Sequence, residues 1–222
     1  MEQRVKKTRV RGRLSPDLIV DSAFDVVERE GLSGFSTRKL AAELGCEAMS
    51  IYHHFPSMAH LFEAMVDGLV GSIRIPPPDR TWRERLRGAM EEYRRIGRKH
   101  PAFAPYLITY RMNSPVCLEK LDEIIGLFNE GGFDREQGAR LFRTISYYLM
   151  GAILDETSGY AKGPSAVTTV NDDELRRSFP NVAAAGPFFA QSGFDETFNL
   201  GLEIMLDEIE RLRLTAGKGH QP

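Results

Sequence analysis

The stretch from Ser36 to Phe55, STRKLAAELGCEAMSIYHHF, decides the fold of this 222-residue chain. Leu40 and Leu44 recur at the spacing of one helix face, which predicts a short amphipathic helix. Gly45 follows directly and readily adopts the left-handed conformation that ends a helix. A second short apolar repeat begins a few residues later. Two short helices joined by so tight a turn predict a helix-turn-helix, whose second helix typically lies in the major groove of DNA.

Signals for helix starts and stops flank this motif on both sides. Ser15, Pro16 and Asp17 combine an N-cap, a first-turn proline and an acidic residue, so a helix is expected to begin there and to end at Gly31. After the motif, Pro56 breaks the chain and a longer helix follows. We therefore expect a three-helix DNA-binding domain followed by a connecting helix.

A run of prolines marks the predicted domain boundary. The sequence Ile75-Pro76-Pro77-Pro78 cannot continue a helix, because each proline lacks an amide hydrogen and restricts the residue before it. The predicted organisation is a basic flexible arm over residues 1–14, a helix-turn-helix domain with its connecting helix over 15–75, and a larger helical domain over 76–222. No period-2 alternation persists anywhere, so the fold is predicted to be all-α.

The larger domain shows helical spacing throughout. Capping-box patterns start at Thr81 and Asp134, and the second of these helices is expected to reach Thr157. Gly, Ser, Thr and Pro over residues 158–173 predict an exposed loop. Further helices are predicted near Pro101, over 115–129, over 182–191 and over 195–214.

Composition excludes several classes of protein. Hydrophobic residues make up 42% and charged residues 27%, which is typical of a globular protein. No apolar run approaches the roughly 20 residues of a membrane span, and the amino terminus lacks the apolar part of a secretory signal, so we expect a cytoplasmic protein. Two isolated cysteines, Cys46 and Cys117, cannot form a metal cage or a disulfide framework. No metal or cofactor is predicted, and Cys46 is expected to be buried in the turn.

Charge is distributed unevenly along the chain. The net charge is −2, yet residues 1–14 carry +5 and the other 208 residues carry −7. A basic arm beside a helix-turn-helix indicates contact with DNA phosphates. A solubilising tail is the alternative, and the position next to the motif favours DNA.

The helix-turn-helix and the helices around it resemble the TetR (tetracycline repressor) family of bacterial regulators. The resemblance is most specific over residues 15–65, where STRKLAAELG is followed by SIYHHF and a new helix. It implies a homodimer with an amino-terminal DNA-binding domain and a carboxy-terminal effector-binding domain of the tetracycline-repressor type, in which two carboxy-terminal helices per subunit form a four-helix bundle. The implied partners are a double-stranded DNA operator, a small-molecule effector and a second copy of the chain.

The resemblance also implies roles for individual residues on DNA. Arg38 corresponds to an arginine that contacts a phosphate or a base, Ser50 to a hydroxyl that faces a base, and Tyr52 to a tyrosine that anchors a phosphate. The recognition-helix positions that vary with the operator are Ala48, Met49 and His53. One departure is Met58, where many members place a phosphate-binding lysine, and either Lys39 or the arm is expected to substitute for it.

The tetracycline-binding pattern of the family is not kept. Ala89, Leu107 and Tyr110 stand where the family has polar ligands of the drug or its metal. Among the ligand positions compared, only Arg111 agrees with the family pattern. The expected effector is therefore a small, largely apolar or aromatic molecule rather than tetracycline with magnesium. Aromatic residues at helical spacing also form ordinary cores, and the predicted pocket residues are Trp82, Tyr93, Phe103, Tyr106, Leu107, Tyr110, Arg111, Phe128, Phe142 and Tyr147.

The last helix carries a near-heptad apolar stripe, which is compatible with dimerisation or with a core inside one chain. The predicted dimer interface is Tyr148, Phe198, Leu202, Met205 and Ile209. The leading hypothesis is a dimeric repressor that leaves a palindromic operator when its effector binds.

Two alternatives remain open. One is a dimeric, helical, ligand-binding protein that does not bind DNA. The other is an enzyme, for which His53-His54, His100 and the pair Asp155-Glu156 are the candidate groups. Adjacent residues on a helix point about 100° apart, which argues against either pair acting together.

Overall fold

The structure, a computed structural model, describes residues 14–158 and 170–216. Residues 1–13 of the predicted arm and most of the predicted 158–173 loop lie outside the described residues. The chain divides into two compact units, Met1–Gly68 and Leu69–Pro222. This division falls within a helix, a few residues before the run of prolines at which the sequence predicts the boundary.

The described residues form only helices, turns and irregular segments, which confirms the predicted all-α fold. Two 3-10 turns lie at Leu32–Gly34 and Gln191–Gly193. The α-helices are α1 (Pro16–Glu30), α2 (Thr37–Leu44), α3 (Ala48–Tyr52), α4 (Met58–Gly71), α5 (Trp82–Lys99), α6 (Ala104–Thr109), α7 (Pro115–Glu130), α8 (Arg135–Thr157), α9 (Asp172–Ser178), α10 (Pro180–Phe189) and α11 (Phe194–Ala216). None of the described helices is both long and apolar enough to cross a membrane.

Local capping sets the helices of the first unit. The Ser15 hydroxyl accepts a hydrogen bond from the Leu18 amide at 3.3 Å, and the Ser36 hydroxyl accepts one from the Lys39 amide at 3.3 Å. Gly45 ends α2 in the left-handed conformation, with φ of 67°. α1 packs on α2, and α2 packs on α3. The core residues of this unit include Ile19, Ala23, Val26, Val27, Leu40, Ala41, Ile51 and Met65.

The second unit is built around α5, which packs against α7, α8 and α11. Both predicted capping boxes are present, at Thr81 with Glu84 and at Asp134 with Gln137. Gly97 allows α5 and α8 to approach closely, since a Cβ there would lie 2.5 Å from a methyl carbon of Ile153. The central cluster comprises Leu86, Met90, Leu127, Phe128, Phe133, Ile145, Leu149, Phe198, Leu202, Leu206 and Ile209.

Several predicted boundaries are wrong. The helix expected near Pro101 begins only at Ala104, after a turn. The helix expected over 182–191 is α10, and α9, which the sequence did not predict, precedes it. α9 begins inside the predicted loop because Asn171 caps it, its side chain accepting from the Glu174 amide at 2.9 Å.

The environment of Cys46 also differs from the prediction. Its side chain is half-buried rather than buried, because the turn after α2 lies at the surface. The remaining burial still raises the pKa of the thiol above its ordinary value. The other cysteine, Cys117, is buried in α7.

Candidate nucleic-acid interface and ligand cavity

The short helix α3 presents an exposed outer face. Ile51 is its inward anchor and is only 1% exposed, whereas Met49 is 64% exposed and Tyr52 38% exposed. His53 follows the helix and is also exposed, while Ala48 and Ser50 are half-buried. The structure thus leaves all five predicted recognition positions at least partly accessible, on a helix held by one buried side chain.

A chain of side-chain contacts joins the three helices around this face. The Tyr52 hydroxyl lies 3.2 Å from the Thr37 hydroxyl oxygen, and the Thr37 hydroxyl donates to the Met58 sulfur at 3.1 Å. Thr37 is the first residue of α2 and is buried, and Met58 is the first residue of α4. Met58, the residue that departs from the family pattern, therefore helps to hold the tyrosine that the resemblance assigns to phosphate.

The body of the first unit is acidic. Residues 14–68 contain nine acidic and three basic residues, a net charge of −6. One of the basic residues, Arg29, pairs with Glu30 at 3.0 Å and with Glu43 at 3.1 Å. Arg38 is exposed and has no ion pair with any other described residue, so it is available for a phosphate.

Lys39 is bound within its own unit. Its ammonium group donates to the Glu30 carboxylate at 2.8 Å and to the Gly34 carbonyl oxygen at 2.9 Å. The bond from Lys39 is the main reason why the pKa of Glu30 is lowered. The predicted substitution of Lys39 for a lysine at position 58 would require these bonds to break, which argues against Lys39, and a contact from the arm stays a prediction.

The second unit contains a cavity of about 270 Å³ between α5, α7 and α8. Most of its wall is apolar, with Ala89 and Met90 of α5, Ile124 of α7 and Leu149 of α8 among the lining residues. Val70, the penultimate residue of α4, also lines it. Of the ten predicted pocket residues, those at the wall are Tyr93, Tyr110, Arg111 and Phe142.

The other six predicted pocket residues lie elsewhere, and the prediction is corrected for Trp82, Phe103, Tyr106, Leu107, Phe128 and Tyr147. Phe103, Leu107 and Phe128 have no exposed surface and fill the core. Trp82 packs edge-on against the Phe133 ring, with centroids 6.0 Å apart. Tyr106 stacks on its neighbours Phe103 and Tyr110, and Tyr147 is 62% exposed on α8. Helical spacing alone could not separate these positions, since core and cavity share the same helix faces.

Three cationic side chains line the cavity, and two of them, Lys120 and Arg143, were not predicted from the sequence. The Arg143 guanidinium lies 4.6 Å from the centre of the Tyr147 ring. Lys120 pairs with Glu123 at 2.7 Å. Neither Arg111 nor Arg143 forms an ion pair with a described residue, and no acidic side chain is among the described residues that line the cavity. A usable signal was the position of Arg143 directly after the pocket residue Phe142.

Tyr93 is a further polar residue of the wall. Its hydroxyl oxygen is buried and has no hydrogen-bond partner among the described residues. Burial raises the pKa of this hydroxyl far above its ordinary value, with a smaller contribution from Cys117. Tyr93 therefore remains a neutral hydrogen-bond donor with no acceptor among the described residues.

Three of the five residues of the predicted dimer interface lie in the chain's own core. Phe198, Leu202 and Ile209 are between 0% and 5% exposed, and they belong to the central cluster against which Tyr148 and Met205 also pack. Side chains so deeply buried cannot form a contact surface for a second copy, so Phe198, Leu202 and Ile209 are corrected to core residues, whereas the half-buried Tyr148 and Met205 stay a prediction. The Tyr148 hydroxyl donates to the Phe198 carbonyl oxygen at 2.7 Å, which joins α8 to α11.

The groups considered for catalysis are not arranged as a site. The Glu156 carboxylate is buried in a bidentate pair with Arg94, at distances of 2.8 to 3.0 Å, whereas its neighbour Asp155 is exposed. His53 and His54 are exposed beside α3, and burial lowers the pKa of His100. Among the described residues, no three His, Cys, Asp or Glu side chains are grouped so as to hold a metal ion.

Comparison with known proteins finds matches over both units. Residues 19–65 match the bacterial regulatory proteins of the tetR family, and residues 75–213 match the tetracyclin repressor-like C-terminal domain. The tetracycline repressor protein class A from transposon 1721 of Escherichia coli is 28% identical over 205 residues, covering 91% of this chain and 93% of that protein.

Two solved structures from Streptomyces coelicolor have the same fold. A possible TetR family transcriptional regulator superposes with a TM-score of 0.73 at 23% identity, over 89% of this chain and 100% of that chain. The TetR family protein ActR in complex with actinorhodin superposes with a TM-score of 0.70 at 25% identity, over 89% of this chain and 97% of that chain.

Proposed function

The chain belongs to the TetR family of bacterial regulatory proteins and is a ligand-responsive, DNA-binding transcriptional regulator, and we propose that it is a homodimer that represses transcription from a palindromic operator. The observation that carries the proposal is the accessible face of α3, with Met49, Ser50, Tyr52 and His53 beside an unpaired Arg38. A helix of this kind reads base edges in the major groove, while the flanking polar groups bind phosphates.

Direct selection of DNA by the full-length protein tests the proposal. Duplexes enriched from a random library are expected to contain inverted half-sites about 10 base pairs apart from centre to centre. Tyr52→Ala should weaken binding to all selected duplexes, whereas Ser50→Ala should change which sequence is preferred. Ser33→Ala, an exposed serine outside α2 and α3, is the matched control. Failure to enrich any inverted repeat contradicts the proposal.

Exposed apolar residues on α8 and α11 support a homodimer contact beside the mostly buried predicted one. Tyr147 and Leu154 share one face of α8 and are 62% and 44% exposed, and Leu200 and Ile204 share one face of α11 and are 62% and 60% exposed. Exposed apolar side chains repeated along two packed helices are typical of an interface. We assign the homodimer contact to these four residues.

Light scattering tests this interface. The wild type should have the mass of a dimer, and a double variant, Leu200→Glu with Ile204→Glu, should be monomeric at micromolar concentration because four carboxylates would face one another across the two-fold axis. Leu118→Glu, at a position 52% exposed on α7, controls for the added charge. A monomeric wild type, or a double variant that stays dimeric, contradicts the assignment.

The proposed release of DNA follows from the position of the cavity. α4 begins in the first unit at Met58, and its penultimate residue Val70 lines the cavity of the second. A bound effector would favour the position of α4 in which it fits best. Since the two recognition helices of a dimer must lie about 34 Å apart to enter successive grooves, an effector that prefers another spacing would lower affinity for the operator.

A further inference from the structure

The cavity indicates the chemical class of the effector. We infer that it is an organic anion with an apolar body, whose acidic group is bound by Arg111 and Arg143 and whose second oxygen or nitrogen accepts a hydrogen bond from Tyr93. This inference rests on the proposed effector function of the cavity and adds charge to it. The sequence alone predicted only an apolar or aromatic molecule.

Two arginines at the cavity carry positive charge that no described ion pair neutralises. Arg111 and Arg143 have no ion pair among the described residues, although acidic side chains are abundant in this protein. The aromatic ring of Tyr147 holds the Arg143 guanidinium in place without neutralising it. Two guanidinium groups beside an apolar wall attract an anion more strongly than they would in open solvent, because the wall lowers the effective dielectric constant.

The absence of acidic groups is the second argument. No carboxylate is among the described residues that line the cavity, so no carboxylate there would pair with a cationic ligand or repel an anionic one. Lys120 adds a further positive charge, which Glu123 partly offsets from outside the wall. A carboxylate, sulfonate or phenolate matches this arrangement, and arginine can bind such groups through two parallel hydrogen bonds.

The Tyr93 hydroxyl is the third argument. A buried donor without an acceptor destabilises the folded protein, and such groups are rare in native structures. Tyr93 lines the same cavity as the two arginines, so a bound molecule is able to supply the acceptor. The apolar side chains around it leave room for the hydrocarbon or aromatic body of that molecule.

Two fluorescent probes that differ in one group test the inference. The anionic probe is 8-anilinonaphthalene-1-sulfonate, and the neutral one is N-phenyl-1-naphthylamine, which has the same ring system without the sulfonate. Both are titrated into the full-length protein and into a double variant, Arg111→Gln with Arg143→Gln. Arg140→Gln is the matched control, because Arg140 is exposed on the same helix but does not line the cavity. Circular dichroism checks that each variant is folded.

The wild type is expected to bind the anionic probe about tenfold more tightly than the neutral one, and the double variant should lose about that factor for the anionic probe alone. Arg140→Gln should behave like the wild type. Equal affinity for the two probes, or an unchanged affinity of the double variant for the sulfonate, contradicts the inference that the effector is an anion. Either result is still compatible with the proposed effector-binding function of the cavity. If neither probe binds the wild type, both the proposed cavity and the inference fail.

Discussion

The two units use positive charge in opposite ways. In the first unit, Arg29 and Lys39 are bonded to acidic groups of the same unit, and residues 14–68 have a net charge of −6. At the cavity of the second unit, Arg111 and Arg143 face no acidic partner among the described residues. We therefore expect the cavity of the second unit to attract a small anion, and attraction to DNA to come mainly from Arg38 and from the basic residues of 1–13.

Deleting residues 1–13 is expected to have the largest effect on DNA binding. These residues carry +5, and without them only an acidic unit with one unpaired arginine would approach the phosphates. Affinity for the selected duplex should fall at least about 100-fold at 100 mM salt, and the slope of log K against log salt should shrink by roughly 4 to 5. Fluorescence anisotropy at several salt concentrations measures both.

A control for this deletion keeps the chain length. Replacing the six basic residues of 1–13 by serine should reproduce the effect of the deletion, because the loss is one of charge. If the slope is unchanged in both variants, the arm does not contact DNA, and the positive charge must be sought elsewhere.

Two neighbouring residues of α2 test whether an unpaired cation contributes more to DNA affinity than a cation bonded within its own unit. Arg38→Gln should weaken binding about tenfold and reduce the salt slope by about 1, since Arg38 has no other described ion pair. Lys39→Gln should change affinity less than about threefold, because its ammonium group is already bonded to Glu30 and Gly34. Equal losses in the two variants would show that Lys39 leaves its partners on binding DNA.

Met58 offers a gain of function in the same unit. Met58→Lys should tighten binding about fivefold at low salt and increase the salt slope by about 1, because it adds a phosphate contact to a body short of positive charge. The loss of the contact between Thr37 and the sulfur should offset part of this gain. Met58→Gln, which removes the sulfur without adding charge, separates the two effects in the same anisotropy titration.

The smallest expected effect concerns the cavity. Tyr93→Phe removes a buried hydroxyl that has no described partner, so the ligand-free protein should be more stable by about 1 kcal/mol. Urea unfolding followed by circular dichroism measures the change. A loss of stability instead would show that the hydroxyl is already bonded, for example to a water molecule in the cavity.

Local signals predicted the first unit closely. The start of α1 and the glycine that ends α2 agree with the structure, because each depends on groups only a few residues apart. The ion pair between Lys39 and Glu30 could not be predicted from local sequence signals. Its partner Glu30 is nine residues distant and belongs to another helix, so the pair forms only when α1 and α2 pack.

The cavity and the last helix were predicted less well. Four of ten pocket residues line the cavity, and the apolar stripe of α11 proved to be core. A periodic stripe shows which side chains share a helix face without showing what covers that face. The stripe of Phe198 and Leu202 and the exposed pair Leu200 and Ile204 lie on the same helix, and only packing against α5 and α8 distinguishes them.

By itself, the sequence determined that this protein is all-helical, where most of its helices begin, and that a helix-turn-helix precedes a larger helical unit. Caps, glycines and prolines act over three or four residues, so these features are written locally. Only the tertiary structure decided which cations stay unpaired, which aromatic residues border a cavity and which face of α11 is buried. Those properties depend on what distant helices leave uncovered when they pack, and no local pattern carries that information.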